Sequence, residues 1–164
     1  MTNHRRPPNH NSRVMQTGKG GPEASEALLA LVSDALGHGI DTVSARPVDR
    51  AEEAMHPFAM LHDGGHRRLE RFVGATAEGD IAAARAMLAA SAAERAALVY
   101  DGYAPDERGR RTDAILVEAC ERGAGHGLAF AQRYAPATRR TPFRTVGAAS
   151  YLGRVSPLLS PAPS

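Results

Sequence analysis

Within Ala59–Leu69, AMLHDGGHRRL, three side chains able to ligate a metal, His62, Asp63 and His66, fall inside five residues with two glycines between the last pair. Imidazole and carboxylate together suit a divalent cation used for hydrolysis, because the cation lowers the pKa of a bound water. A second set lies further along: Tyr100, Asp113, Gln132, Arg133 and Tyr134 offer hydroxyl, carboxylate, amide and guanidinium groups to a ligand or a partner protein. Other chemistries find little support. Cys120 stands alone, so an internal disulfide and a Cys-rich zinc site are excluded, and its apolar alternating surroundings suit a buried, inert thiol. No serine sits in a Gly-x-Ser-x-Gly setting, and TGKGGP has neither the preceding strand nor the Lys-Ser/Thr ending of a phosphate loop. Asp113 and Glu118 have the separation of some metal-dependent nucleases, yet five residues apart on a strand they point to opposite faces. No lysine follows them, because Lys19 is the sole lysine of the chain.

Two kinds of segment must position these groups. In Glu23–Leu36 the apolar residues Leu28, Leu31, Val32 and Leu36 share one helical face, and Gly37 predicts its end. Asp49 and Glu52 form a capping pattern before a second helix that Pro57 must kink or stop, with a further turn over Phe58–His62. Asp63-Gly64-Gly65 predicts a break, which removes the helical geometry that would let His62 and His66 share a metal. His66–Ala77 resumes helical spacing, and Asp80 is the predicted N-cap of a helix carrying Ile81, Ala84, Met87 and Leu88. Ser91 and Glu94 predict one short helix more, through Ala97. The rhythm then changes to alternation, which predicts strands over Leu98–Tyr103, Thr112–Cys120 and Leu128–Tyr134, with a fourth over Phe143–Tyr151. The expected fold is therefore α+β: four or five short N-terminal helical segments packed on a C-terminal antiparallel sheet of three or four strands.

One domain is expected over residues 23–154, between a disordered basic segment at 1–22 and a disordered tail at 155–164. All 18 acids lie in residues 23–121 with 10 of the 20 basic residues, which makes the middle −8 and leaves both ends basic. Such ends suit nucleic acid or an acidic partner, although the abundance of Arg, Ala and Gly is also what a GC-rich genome produces. No apolar run approaches the roughly 18 residues that a membrane helix needs. The N-terminus lacks an apolar segment, and a cytoplasmic home is the simplest expectation.

AMLHDGGH resembles the apolar-apolar-His-Asp-x-Gly-His/Lys segment of HD-domain metal phosphohydrolases. The resemblance spans about eight residues and has Gly64 in place of an aliphatic residue. It implies an all-helical fold and a divalent metal held by His62 and Asp63, with His38 as the first ligand and Asp80 or Asp101 as the last. RFVGATAEGDIAAARAMLA, Arg71 to Ala89, resembles the helix-turn-helix opening of the NTF2-like family, which implies an α+β cone and no particular catalytic residue. Weighed together, these features favour a small non-catalytic interaction or regulatory domain that meets a protein partner, or a second copy of itself, through its sheet face or basic ends, with no cofactor. The alternatives are an HD-type phosphohydrolase using a divalent metal at His38, His62, Asp63 and His66, and nucleic-acid binding through the arginine-rich termini.

Overall fold

In the computed structural model, which describes residues 22–161, the Ser25 hydroxyl accepts a hydrogen bond from the Leu28 amide (3.1 Å) and so caps α1, Glu26–Ser44. Leu28, Leu31, Val32 and Leu36 are buried on its inner face, each contributing roughly 1.5–3 kcal/mol by leaving water. The helix does not stop at Gly37. A Cβ at Gly39, two residues on, would stand 2.8 Å from Ile115 Cγ2 and 3.2 Å from Val99 Cγ1. Close approach to the sheet thus keeps a glycine inside the helix despite its usual cost of about 1 kcal/mol.

The largest correction concerns residues 58–71. Where helical turns were expected at Phe58–His62 and His66–Ala77, the chain forms a hairpin of β1, Phe58–Asp63, and β2, His66–Arg71. Gly64, at φ 59°, and Gly65 make its two-residue turn, the Gly-Gly arrangement that suits a tight hairpin. β1 pairs on both sides and is covered on both faces, so Phe58–Leu61 reads as one apolar run in which neither period stands out. The expected capped helix after Asp49 shrinks to a single 3₁₀ turn, Val48–Arg50.

Thr76, not Asp80, caps the second helix, α2, Ala77–Ala90, by accepting from the Gly79 amide (3.1 Å). At Ser91 the hydroxyl accepts from the Ala93 amide (3.1 Å), closing a turn where a short helix was expected. The chain then enters β3, Arg95–Pro105, followed by β4, Arg111–Glu121, β5, Gly127–Ala135, and β6, Arg144–Val155. The strand order is β2-β1-β3-β4-β5-β6, and every pair is antiparallel. The fold is α+β, but among the described residues it holds two α-helices and one six-stranded sheet, in place of four or five helical segments ahead of three or four strands. The helix-turn-helix implied for Arg71–Ala89 is accordingly a strand end, a loop and one helix.

Each helix covers one face of the sheet. α1 packs on Phe58, Val99, Ile115, Val117, Phe130 and Tyr134, while α2 packs on Ala59, Leu61, Ala96 and Leu98. Within residues 155–161, expected to be part of a tail, Leu158 and Leu159 close this second core and are buried against it. Arg122 holds them in place by donating to the carbonyls of Ala93 (3.0 Å) and Ser160 (2.8 Å). The basic N-terminal segment lies, apart from Pro22, outside the described residues, as do 162–164. No helix among the described residues is long and apolar enough to cross a membrane.

Candidate functional site

Beyond Ser44 the chain leaves α1 and loops back through Pro47–Pro57 before joining β1. Opposite this loop, residues 136–143 connect β5 to β6, tied by the Thr138 amide donating to the Thr141 carbonyl (2.8 Å). Between the two loops, over the ends of β3, β4 and β5, lies a cavity of about 730 Å³. Its polar wall is built from strand positions in phase with the buried face. Val99, Asp101 and Tyr103 succeed one another on one side of β3, and Asp113, Ile115 and Val117 do so on β4, where Tyr103 faces Asp113 across the ladder.

Asp101 organises that wall. Its Oδ1 accepts from the Tyr134 hydroxyl (2.7 Å), and its Oδ2 accepts from the Met55 amide (3.1 Å) and from Arg46 Nη1 (3.3 Å). Arg46 Nη2 donates to the Tyr134 hydroxyl as well (3.1 Å), and the guanidinium stands over the tyrosine ring at 5.8 Å. The Asp101 and Arg46 side chains are only 8% and 14% exposed, so each charge depends on the other. Burial and the Asp101 hydrogen bond push the Tyr134 hydroxyl well above its ordinary pKa. It stays a neutral donor. Phe143 stacks on its outer face at 5.5 Å.

Asp113 differs from its neighbours. Among the described residues its carboxylate has no hydrogen-bond or ion-pair partner, and burial, followed by repulsion from Asp101, raises its pKa. Glu52 lies on the same cavity wall and works in the same direction. Four large apolar residues are exposed among the described ones, and two of them, Val48 at 44% and Tyr103 at 53%, line this cavity. Arg111 covers one face of Tyr103 at 3.5 Å.

The binding residues expected from sequence divide accordingly. Asp113 and Tyr134 meet in the cavity. Gln132 shares their face but is buried at 1% exposure, beside the irregularity at which Ala131 and Arg133 change register against β6. Its Nε2 donates to the carbonyls of Arg133 (3.0 Å) and Gly147 (3.2 Å), replacing ladder bonds that the bulge removes. Arg133 points the other way and pairs with Glu107 (2.7 Å). Tyr100 also faces away, donating to Glu118 Oε2 (2.7 Å) while Arg85 grips both carboxylate oxygens at 2.8 and 2.6 Å. Arg46, Val48, Glu52 and the loop after β5 were not singled out from sequence. A usable signal was Asp101, a carboxylate in phase with Val99 on the core side of a strand.

The metal candidates do not assemble. His62 and Asp63 are successive residues of an extended strand and so project to opposite faces. His62 is buried among Arg67, Arg95 and Asp34, and burial followed by the two arginines lowers its pKa. His38 lies edge-on to Phe58 at 5.0 Å, with Nε2 3.4 Å from Arg71 Nη2. His66 is exposed at the start of β2, while Asp80 is buried beside Gly74 at the other helix. No group of three or more His, Cys, Asp or Glu side chains among the described residues is placed to hold a metal ion. Two of the C-terminal arginines considered for nucleic acid, Arg122 and Arg133, are engaged inside the fold. Neither a protein-family model, nor a curated protein, nor a solved structure matches this chain significantly.

Proposed function

We propose that the chain is a non-catalytic ligand-binding domain whose site is the cavity walled by Arg46, Asp101, Asp113 and Tyr134. One observation carries this reading: a concavity of about 730 Å³ in which a largely buried, mutually partnered Asp101–Arg46–Tyr134 cluster stands beside Asp113, which has no partner among the described residues. Small-molecule sites typically occupy roughly 300–1,000 Å³ and combine apolar walls with a few fixed polar groups. The sheet face expected from sequence keeps its role at Asp113 and Tyr134, with a small molecule as its occupant. Strand addition by a protein is less well served by this sheet. Arg67, Arg68, Glu70 and Arg71 crowd the β2 edge, and the β6 edge is interrupted by two irregularities with Gly147 at φ 71° and Gly153 at φ 128°. Charged and bulged edges resist added strands.

Amide chemical-shift mapping with a library of small organic acids, amines and neutral fragments tests the reading. Hits should cluster on Gly102, Tyr103, Asp113 and Ala137 and leave β2 and α2 unmoved. If no fragment shifts the cavity amides, the proposal fails.

A further inference from the structure

The cavity's unsatisfied chemistry restricts what it takes. Two cations line the cavity: Arg46, on the polar floor, is already engaged by Asp101 and Tyr134, and Arg139 is exposed on the loop after β5. An anionic ligand could meet Arg139 only at the solvent-exposed rim, and to reach the floor it would have to displace Asp101, which also holds the Met55 amide and hence the loop above. Asp113 has no such partner among the described residues, and the negative potential of Asp101 and Glu52 outweighs the opposing pull of Arg46 and Arg111. A half-buried carboxylate in this state gains most from a charged donor, because a charge-assisted hydrogen bond replaces the water it has lost. Around it the lining is apolar and thinly covered: Val48 and Tyr103 are exposed, and Ala51 and Ala54 extend the same surface. Water against those groups is released when hydrocarbon covers them.

We infer that the cavity binds an apolar amine, its protonated amino group paired with Asp113 and its hydrocarbon part laid against Val48, Ala51, Ala54 and Tyr103. This rests on reading the cavity as a ligand site, and it adds the ligand's chemical class. The remaining candidates carry less. His62, whose buried Nε2 has no partner among the described residues, lies between Arg67 of β2 and Arg95 of β3, and the Tyr100–Glu118–Arg85 cluster is internally satisfied.

Three probes that share a phenyl group test the inference by amide-detected titration: 2-phenylethylamine, 2-phenylethanol and phenylacetate. The amine should shift the cavity amides and bind about tenfold or more tightly than the alcohol, as a charged hydrogen bond implies. Phenylacetate should bind more weakly than either. Asp113→Asn, which keeps size and shape, should reduce the amine to the affinity of the alcohol, and Asp113→Ala should do the same. Asp63→Asn, at the far hairpin, should change nothing. Should the alcohol or phenylacetate match the amine, or the amine ignore both Asp113 variants, the amine assignment is overturned while the cavity survives as a site. Absence of any probe from the cavity overturns both.

Discussion

Replacing Asp101 with alanine removes the one acceptor that joins Arg46, Tyr134 and the Met55 amide. The Arg46 side chain is 14% exposed, so its charge is left with little water and no carboxylate. Breaking one partner out of such a pair costs about 3–5 kcal/mol. Tyr134→Phe deletes only the hydroxyl and its bonds to Asp101 and Arg46, a loss of about 1–2 kcal/mol. For a chain of this size the Asp101 loss corresponds to a Tm roughly 10 °C lower. Urea unfolding followed by far-ultraviolet circular dichroism at neutral pH measures both. The expected order is wild type, then Tyr134→Phe, then Asp101→Ala. An Asp101→Ala variant within about 0.5 kcal/mol of wild type, the range of ordinary surface substitutions, would refute the view that this carboxylate organises the cavity wall.

Three further outcomes follow from the buried ionisable groups. Burial works to raise the Glu118 pKa, but the Arg85 and Tyr100 hydrogen bonds outweigh it and hold the group below its ordinary 4.5. Its stabilising contribution is therefore complete above pH 4.5 and lost as pH falls through the lower folded value. Glu118→Gln should be less stable at neutral pH and lose less on acidification, as midpoint denaturant concentrations across that window will report. His62, with its pKa lowered from 6.5 by burial and by Arg67 and Arg95, favours the neutral ring in the fold, so it costs stability as pH falls below 6.5. His62→Leu should flatten the fall in stability that sets in as pH drops below about 6.5; an unchanged slope would show that the ring is not enclosed. Burial foremost raises the Cys120 thiol, which also accepts from the Leu159 amide (3.4 Å). A disulfide reagent should leave it unreacted in the native protein and label it on unfolding, whereas rapid native labelling would mean that the 158–160 segment does not stay docked.

How much of this was readable in advance depended on burial geometry. The C-terminal alternation located β3, β4 and β5 and put Asp113, Gln132 and Tyr134 on one face, because those strands carry their turns in sequence: Pro105–Arg111 and Glu121–Gly127 are polar and glycine-bearing. β1 was lost because a strand buried on both faces has no polar alternation, and β2 because its charged edge carries one apolar residue, Leu69, which with Phe72 and Val73 beyond the strand spells a helical spacing. The helix expected to end at Gly37 runs seven residues further, since the contact of Gly39 with Ile115 is invisible without the sheet. Arg46 could not be assigned to the cavity from sequence. Its partner, Asp101, is 55 residues away, and only the fold joins them. His62, Asp63 and His66 attracted notice for their types, and the hairpin explains why they share no site: adjacent strand residues face apart, and Gly64-Gly65 serve the turn.

A crystal structure of the protein soaked with 2-phenylethylamine examines the cavity directly. The account predicts electron density for the amine between the β3–β4 ends and the 47–57 loop, its nitrogen against the Asp113 carboxylate and its ring over Tyr103 or Val48, with the Asp101–Arg46–Tyr134 contacts undisturbed. Density for the amine only on another surface, or a cavity filled by the 136–143 loop, would contradict it.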